Sequence, residues 1–452
     1  MKTPSRSLAL AALVGAALTL YALVAAAPIA PPTLAGAAAS PYVPGEVLVK
    51  FKPAAGVQGR AAIMAARGHS ILANLNQPGW AQVKVGAGQT METALTAYRN
   101  DPSVEFVQPN YLYHAAAVPD DSQYGQLWAL RNTGQTVTTG TYSPNAGTAG
   151  DDMNIEPAWN HITDCSSVVV AVVDSGVNYT HADLAANMWN GGSGYPNHGD
   201  DFVDNDNDPM DLFGHGTHVA GIIGAVGDNG TGTTGVCQKA SIMAVRVLDA
   251  AGNGTTATAI QGINFAVANG ARVINMSLVG GGAFDQAVSD AITNAQNSDV
   301  VVIVAAGNDG FNNDLAGSAA YPCNFTQLNL VCVAALDQNY ALANFSNWGA
   351  TSVDVGAPGT NILSTGGIAE LSNTSYGTMN GTSMASPEVA GLATMLRAFN
   401  PQYTFVDTVN AIKNGGRSVP ALAGNTTSGK AVDVMASLAY INPPTGLTAT
   451  VQ

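Results

Sequence analysis

Four short apolar runs limit what this chain can fold into. Val168–Val173, Ile242–Leu248, Val273–Met276 and Val300–Ala305 are rich in β-branched residues and do not alternate with polar ones; only Arg246 and Asn275 interrupt them. Runs of this kind suit parallel strands buried on both faces. Between them lie helix-like stretches over Thr217–Gly224, Ala257–Asn269 and Phe284–Asn297. From Asp120 to about Tyr440 the alternation predicts a doubly wound α/β domain with a mostly parallel sheet. In such sheets functional residues gather beyond the carboxyl ends of the strands. Asp174 follows one such end and Asn308 follows another.

At 452 residues, 46% hydrophobic, with 50 glycines and 10% charged residues, the chain exceeds one average domain and suits a large core. Residues 1–118 carry 8 Lys+Arg and 4 Asp+Glu, whereas the remainder carries 8 and 27. A mildly basic front therefore precedes a strongly acidic body. That body argues against nucleic acid or an anionic membrane as partner and favours cation binding. Lys2 and Arg6, the apolar stretch Leu8 to Ala27 and the small residues ending Ala37-Ala38-Ala39 read as a secretion signal over 1–39. A membrane anchor is the alternative, since about 20 apolar residues span a bilayer.

Residues 42–114 read as a separate small α/β domain. Its strands are expected at Gly45–Phe51, Ala81–Val85 and Val104–Val107, and its helices at Gly59–Arg67 and Met91–Asn100. The small residues Ala115–Val118 suit a processing junction. Four cysteines fit an oxidising compartment. Cys165 directly precedes one apolar run and Cys237 another; as parallel neighbours these runs would bring both thiols to one strand end. The expected pairs are Cys165–Cys237 and Cys323–Cys332. Three pairings are open from sequence, and buried free thiols are the plainer alternative.

The stretch Gly381-Thr382-Ser383-Met384-Ala385-Ser386-Pro387 places a serine at the start of a helix-like run, Thr382 to Phe399. A helix N-terminus offers free N–H groups and partial positive charge, which suit a developing oxyanion. Upstream stand Val172-Val173-Asp174-Ser175-Gly176-Val177 and Gly214-His215-Gly216-Thr217-His218-Val219-Ala220-Gly221. Each member has a plainer reading alone: a turn cap, a structural histidine, an N-cap. Jointly, over roughly 42–441, they resemble the subtilisin-like serine protease family, whose known order is Asp, His, Ser.

The resemblance implies Asp174 as the carboxylate, His215 as general base, Ser383 as nucleophile and Asn308, in Ala305-Ala306-Gly307-Asn308, as oxyanion donor. Ser175, Ser386 and His218 are not expected to be nucleophile or base. Glu388 stands where the family usually carries histidine, so altered local hydrogen bonding is expected, without loss of catalysis. Residues 40–118 resemble the family's inhibitory pro-segment, 119–441 its peptidase domain, and 442–452 a linker into an absent module. Peptide substrates would add as a strand between Gly252-Asn253-Gly254 and Ser277-Leu278-Val279-Gly280. Val279 replaces a usual glycine there. Ala305, Gly307 and Ala320 match walls of an open pocket for the residue before the cut bond, with Asp309 near its rim.

Two regions are expected to take structural Ca²⁺, which prefers six to eight oxygens. One is the acidic loop before His215, with Asp201, Asp206 and Asp208 as ligands; seven of the nine residues 200–208 are Asp or Asn. The other is implied by the resemblance: Asp183 and Asn229 match the family's calcium ligands, joined by Asp121 and the carbonyls of Gly227, Thr231 and Thr233. The resulting expectation is a secreted, extracellular serine endopeptidase, with the periplasm as the alternative. It would be a self-processing, monomeric zymogen of broad, apolar-leaning specificity, acting on polypeptides and inhibited by its own pro-segment. No nucleic acid and no stable membrane association are expected. The alternatives are a catalytically inactive binding scaffold of the same fold and a metal-dependent hydrolase; no His-Glu-x-x-His occurs to favour the latter.

Overall fold

The computed structural model describes residues 42–111, 118–280, 282–366 and 372–441. The leader expected over 1–39, most of the junction at Ala115–Val118 and the linker expected over 442–452 lie outside the described residues.

The N-terminal part is built from β1 (Tyr42–Phe51), α1 (Gly56–Ala65), β2 (Ser70–Asn74), β3 (Trp80–Lys84), α2 (Met91–Arg99) and β4 (Val104–Tyr111). Its sheet runs β2-β3-β1-β4 with every pair antiparallel. Alternation in β1 turns Val47, Val49 and Phe51 onto one face, where they meet Val83, Leu95 and Tyr98 in a core of their own. Thr90 caps α2 by accepting the Thr93 N–H at 3.2 Å. β2 was not expected from sequence. None of its five residues is buried, so no apolar alternation marked it.

The second part comprises α3 (Glu156–Trp159), β5 (Asp164–Asp174), β6 (Gly199–Asp201), α4 (His215–Gly224), β7 (Lys239–Arg246), α5 (Thr256–Ala268), β8 (Ala271–Met276), α6 (Gln286–Asn297) and β9 (Val301–Ala305). It continues with β10 (Leu330–Leu336), β11 (Val355–Pro358), β12 (Ile362–Thr365), β13 (Tyr376–Met379), α7 (Thr382–Phe399), α8 (Phe405–Gly415), β14 (Arg417–Ser418), β15 (Lys430–Ala431) and α9 (Val434–Ile441). The main sheet has the order β14-β15-β11-β10-β9-β8-β5-β7-β6. It is parallel except for the β14–β15 pair.

Strand β5 shows why the runs read as buried on both faces. Val170 and Val172 pack with Val219 of α4 and Val389 and Leu392 of α7. Ala171 and Val173 pack with Ile263 of α5 and Ile292 of α6 on the other side. Helices thus cover both faces of a parallel sheet, the doubly wound arrangement expected. β5 and β7 are neighbours, with Val170 opposite Ile242 and Asp174 opposite Arg246. Cys165 and Cys237 are bonded across the far end of this pair, and Cys323 is bonded to Cys332, as expected. Among the described residues no helix is long and apolar enough to cross a membrane.

Candidate active site

Asp174 ends β5 and His215 begins α4. The His215 Nδ1 and Asp174 Oδ1 atoms lie 2.7 Å apart, and that oxygen also accepts the Ser175 N–H at 2.7 Å. Burial pushes the imidazole pKa down, but the charge and hydrogen bond of Asp174, with Asp211 adding, outweigh it and hold the pKa above its ordinary value. Asp211 fixes the helix that carries the ring. Its Oδ1 accepts the Phe213 and Gly214 N–H groups at 2.9 and 2.8 Å, and its Oδ2 accepts the Thr217 N–H at 2.9 Å. Ser175 Oγ donates to Asp211 at 2.9 Å and accepts the Gly216 N–H at 2.9 Å. Residue 216 must be glycine, because a Cβ there would stand 2.1 Å from the Gly176 carbonyl oxygen. Sequence reading missed Asp211 and Ser175 as the pair that positions His215; the signal was an acidic residue a few positions before a helix start.

Ser383 is the second residue of α7. Its Oγ donates to the Ser277 carbonyl at 3.2 Å, not to the His215 ring, and Ser277 Oγ donates to the Ser383 carbonyl at 2.8 Å. Asn275 Nδ2 donates to Ser277 Oγ at 3.0 Å and its Oδ1 accepts from Ser386 Oγ at 2.8 Å. The Asn308 Oδ1 accepts from Thr382 N and Oγ1 at 2.8 and 2.9 Å. That orientation leaves the amide Nδ2 facing outward. A Cβ at position 381 would lie 3.5 Å from Ser383 N and 3.6 Å from Asn308 Nδ2. Glycine there keeps open the space that both donors border. His218 is buried: its Nε2 lies 3.1 and 3.0 Å from the Ile362 and Gly377 carbonyls, and burial lowers its pKa to about 4.

A cleft of ≈ 530 Å³ opens beside His215, lined by Gly252, Asn253 and Gly254 on one wall and Ser277 to Gly280 on the other. The two expected segments are brought together. Phe213, Tyr321 and Phe325, which sequence reading did not single out, complete the lining. Tyr321 also accepts the Gly280 N–H at 2.8 Å, so that donor already has a partner. Val279 is 43% exposed and lines the same cleft. Ala305, Gly307 and Ala320 lie outside this lining and are buried.

The residues expected to hold cations fare unequally. Asp183 is fully buried, with Oδ1 accepting from Asn229 Nδ2 at 2.8 Å and Oδ2 from Thr233 N at 2.9 Å. Asp121 is buried too; its Oδ2 accepts the Asp228 N–H at 2.8 Å, and its Oδ1 has no partner. Burial raises both carboxyl pKa values, and the Asp183 charge raises that of Asp121 further. Two buried carboxylates, one with an orphan oxygen, fit a hard cation.

The acidic loop does not fit in this way. Asp201 and Asp204 both bind Arg246 Nη1, at 2.5 and 2.6 Å. Asp208 accepts from Tyr179 OH at 2.8 Å. Asp206 accepts the Asp208 N–H at 3.0 Å. Among the described residues no group of three or more His, Cys, Asp or Glu gathers as a metal site. For Asp201 the crowding of negative charge is relieved by an arginine of the chain itself.

The Subtilase family (Peptidase_S8) matches residues 166–428, and the Fervidolysin N-terminal prodomain matches 28–110. The thermophilic serine proteinase of Bacillus sp. (strain AK1) is 38% identical over 358 residues, 78% of each chain. Thermitase of Thermoactinomyces vulgaris is 43% identical over 53% of this chain and 77% of its own. Among solved structures, a protease of Pseudoalteromonas arctica PAMC 21717 aligns at a TM-score of 0.58 and 32% identity, covering 72% of this chain and all of its own.

Proposed function

The chain belongs to the subtilase family and is a serine-type endopeptidase with an N-terminal prodomain, and from that premise we propose that Asp174, His215, Ser383 and Asn308 are its catalytic residues. The observation that carries this reading is the 2.7 Å contact of His215 Nδ1 with Asp174. It holds the proton on Nδ1 and leaves Nε2 free to act as base.

Ser383 Oγ attacks the peptide carbonyl carbon while its proton passes to His215 Nε2. The oxyanion that forms is met by the Ser383 N–H and Asn308 Nδ2. The C–N bond then breaks, and His215 returns the proton to the leaving amine. Water, deprotonated by the same ring, hydrolyses the acyl-enzyme and restores Ser383. The resting contact of Ser383 Oγ with Ser277 O is long enough, at 3.2 Å, to be exchanged when substrate enters.

The chain is made as a self-processing zymogen, with residues 40–118 as inhibitor and chaperone of its own peptidase domain, and is exported through the signal at 1–39. Its specificity is broad with an apolar preference, the cleft being lined by Leu248, Met276, Leu278 and Phe325. Calcium, when bound, supplies structural stabilisation only; Asp121, Asp183 and Asn229, with the carbonyls of Gly227, Thr231 and Thr233, would hold it.

The test is fluorophosphonate labelling of the secreted, mature protein beside Ser383→Ala. Labelling that vanishes in the variant establishes the activated serine. If folded, processed protein takes no label, the inactive-scaffold reading replaces this one.

A further inference from the structure

The cleft beside His215 has a far end that the catalytic reading does not use. Thr256 Oγ1, at the start of α5, donates to Asp285 Oδ2 at 2.6 Å. Asp285 stands just before α6, and its Oδ1 accepts the Ala287 and Val288 N–H groups, both at 3.1 Å. One side chain therefore caps α6 and latches the two walls together. Around it the lining is apolar, with Leu278, Val288, Tyr321 and Phe325. Among the described lining residues Asp285 is the one carboxylate, and none is lysine or arginine. The hydroxyl of Thr256 and then the backbone N–H of Val288 hold its carboxyl pKa below the usual range, so it is an anion at neutral pH.

An extended peptide sends every second side chain into such a cleft. Ser277, in contact with Ser383, marks the end near the cut bond. His215 and Phe213 line the same cleft, where the second residue before that bond would lie. The fourth lies about 7 Å further out, in the direction in which the wall runs from Ser277 to Asp285. We propose that Asp285, latched to Thr256, selects peptides whose fourth residue before the cut bond is lysine or arginine, the apolar stem lying on Val288 and Tyr321 and the cation against the carboxylate. The inference rests on the peptidase reading above and adds a charge preference to it.

The experiment compares peptides differing only at that residue, lysine against norleucine, which keeps the stem and removes the charge. With wild-type enzyme at low salt, kcat/KM favours lysine by about two- to five-fold, the range expected of an exposed ion pair. High salt erodes the preference. Asp285→Asn and Asp285→Ser both remove the charge while keeping a helix-capping side chain, and both bring the ratio to one. A ratio unchanged in the two variants overturns the inference while leaving the peptidase reading intact, as does a variant-sensitive lysine preference at another substrate position. Failure of the wild type to cleave any peptide overturns both.

Discussion

Glu388 gives the sharpest prediction about stability. It lies on α7, is 2% exposed, and its Oε2 has no hydrogen-bond partner. Around it are Leu127, Trp128, Leu130, Ile222, Ile362 and Leu363, with Thr234 the one polar side chain, enclosing ≈ 20 Å³, about the room one water needs. Among the described residues no cation lines that space, and burial pushes the Glu388 pKa well above the ordinary carboxylate range. The folded chain therefore keeps this proton at pH values where the unfolded chain has released it. Stability from this group is complete below the unfolded pKa, about 4.3, and is lost as pH rises toward the raised folded value. Over that window the loss is about 1.4 kcal/mol for each pH unit. Each unit of that window is an appreciable share of a typical domain's stability.

The assay is denaturant unfolding from pH 5 to 8 in a Ser383→Ala background, which prevents self-digestion, with and without Glu388→Gln. Glutamine keeps the size and shape and removes the titration. A constant offset between the two curves reports only local packing. The expected result is divergence, the glutamine variant gaining relative stability as pH rises. Parallel curves across the range would refute the argument, since they would mean that Glu388 titrates alike in both states.

Asn308→Ala should lower kcat by 10²–10³-fold with little change in KM or fold, the known cost of losing one oxyanion donor in subtilisin being about 2.7–4 kcal/mol; steady-state kinetics with a circular dichroism spectrum check it. Replacing both members of the Cys165–Cys237 pair, 72 residues apart, should destabilise by roughly 4 kcal/mol, against roughly 3 for Cys323–Cys332, nine apart, because the longer loop gains more freedom in the unfolded chain. Denaturant titration of the two double variants tests that order. Chelation by EDTA should lower Tm and speed self-digestion, since a ligand of the folded state stabilises by mass action; an unmoved melting curve would remove Asp121 and Asp183 as a calcium site.

What the sequence made legible follows from range. The runs that became β5, β7, β8 and β9 were visible because burial on both faces leaves a continuous apolar signature. The bounds of α7 matched the helix-like run from Thr382 to Phe399. Gly252-Asn253-Gly254 and Ser277 to Gly280 were visible as cleft walls, but Tyr321 and Phe325 reach the same cleft from a distant segment with no local mark. Asp201 shows the opposite failure. Its neighbours in sequence are acidic, so it read as a metal ligand, yet Arg246 reaches it from the adjacent strand β7. Counting charge along a chain cannot see across a sheet. Ser175 and Asp211 were likewise visible as polar residues, but not as partners.

The two halves of the proposed catalytic apparatus are knitted by separate sets of bonds. Ser175, Asp211 and Thr217 secure the acid–base pair within residues 174–217. Asn275, Ser277, Ser386 and Thr382 secure the nucleophile and Asn308 within residues 275–386. No member serves in both. Mutations that retune the basicity of the imidazole therefore need not disturb the serine's cradle.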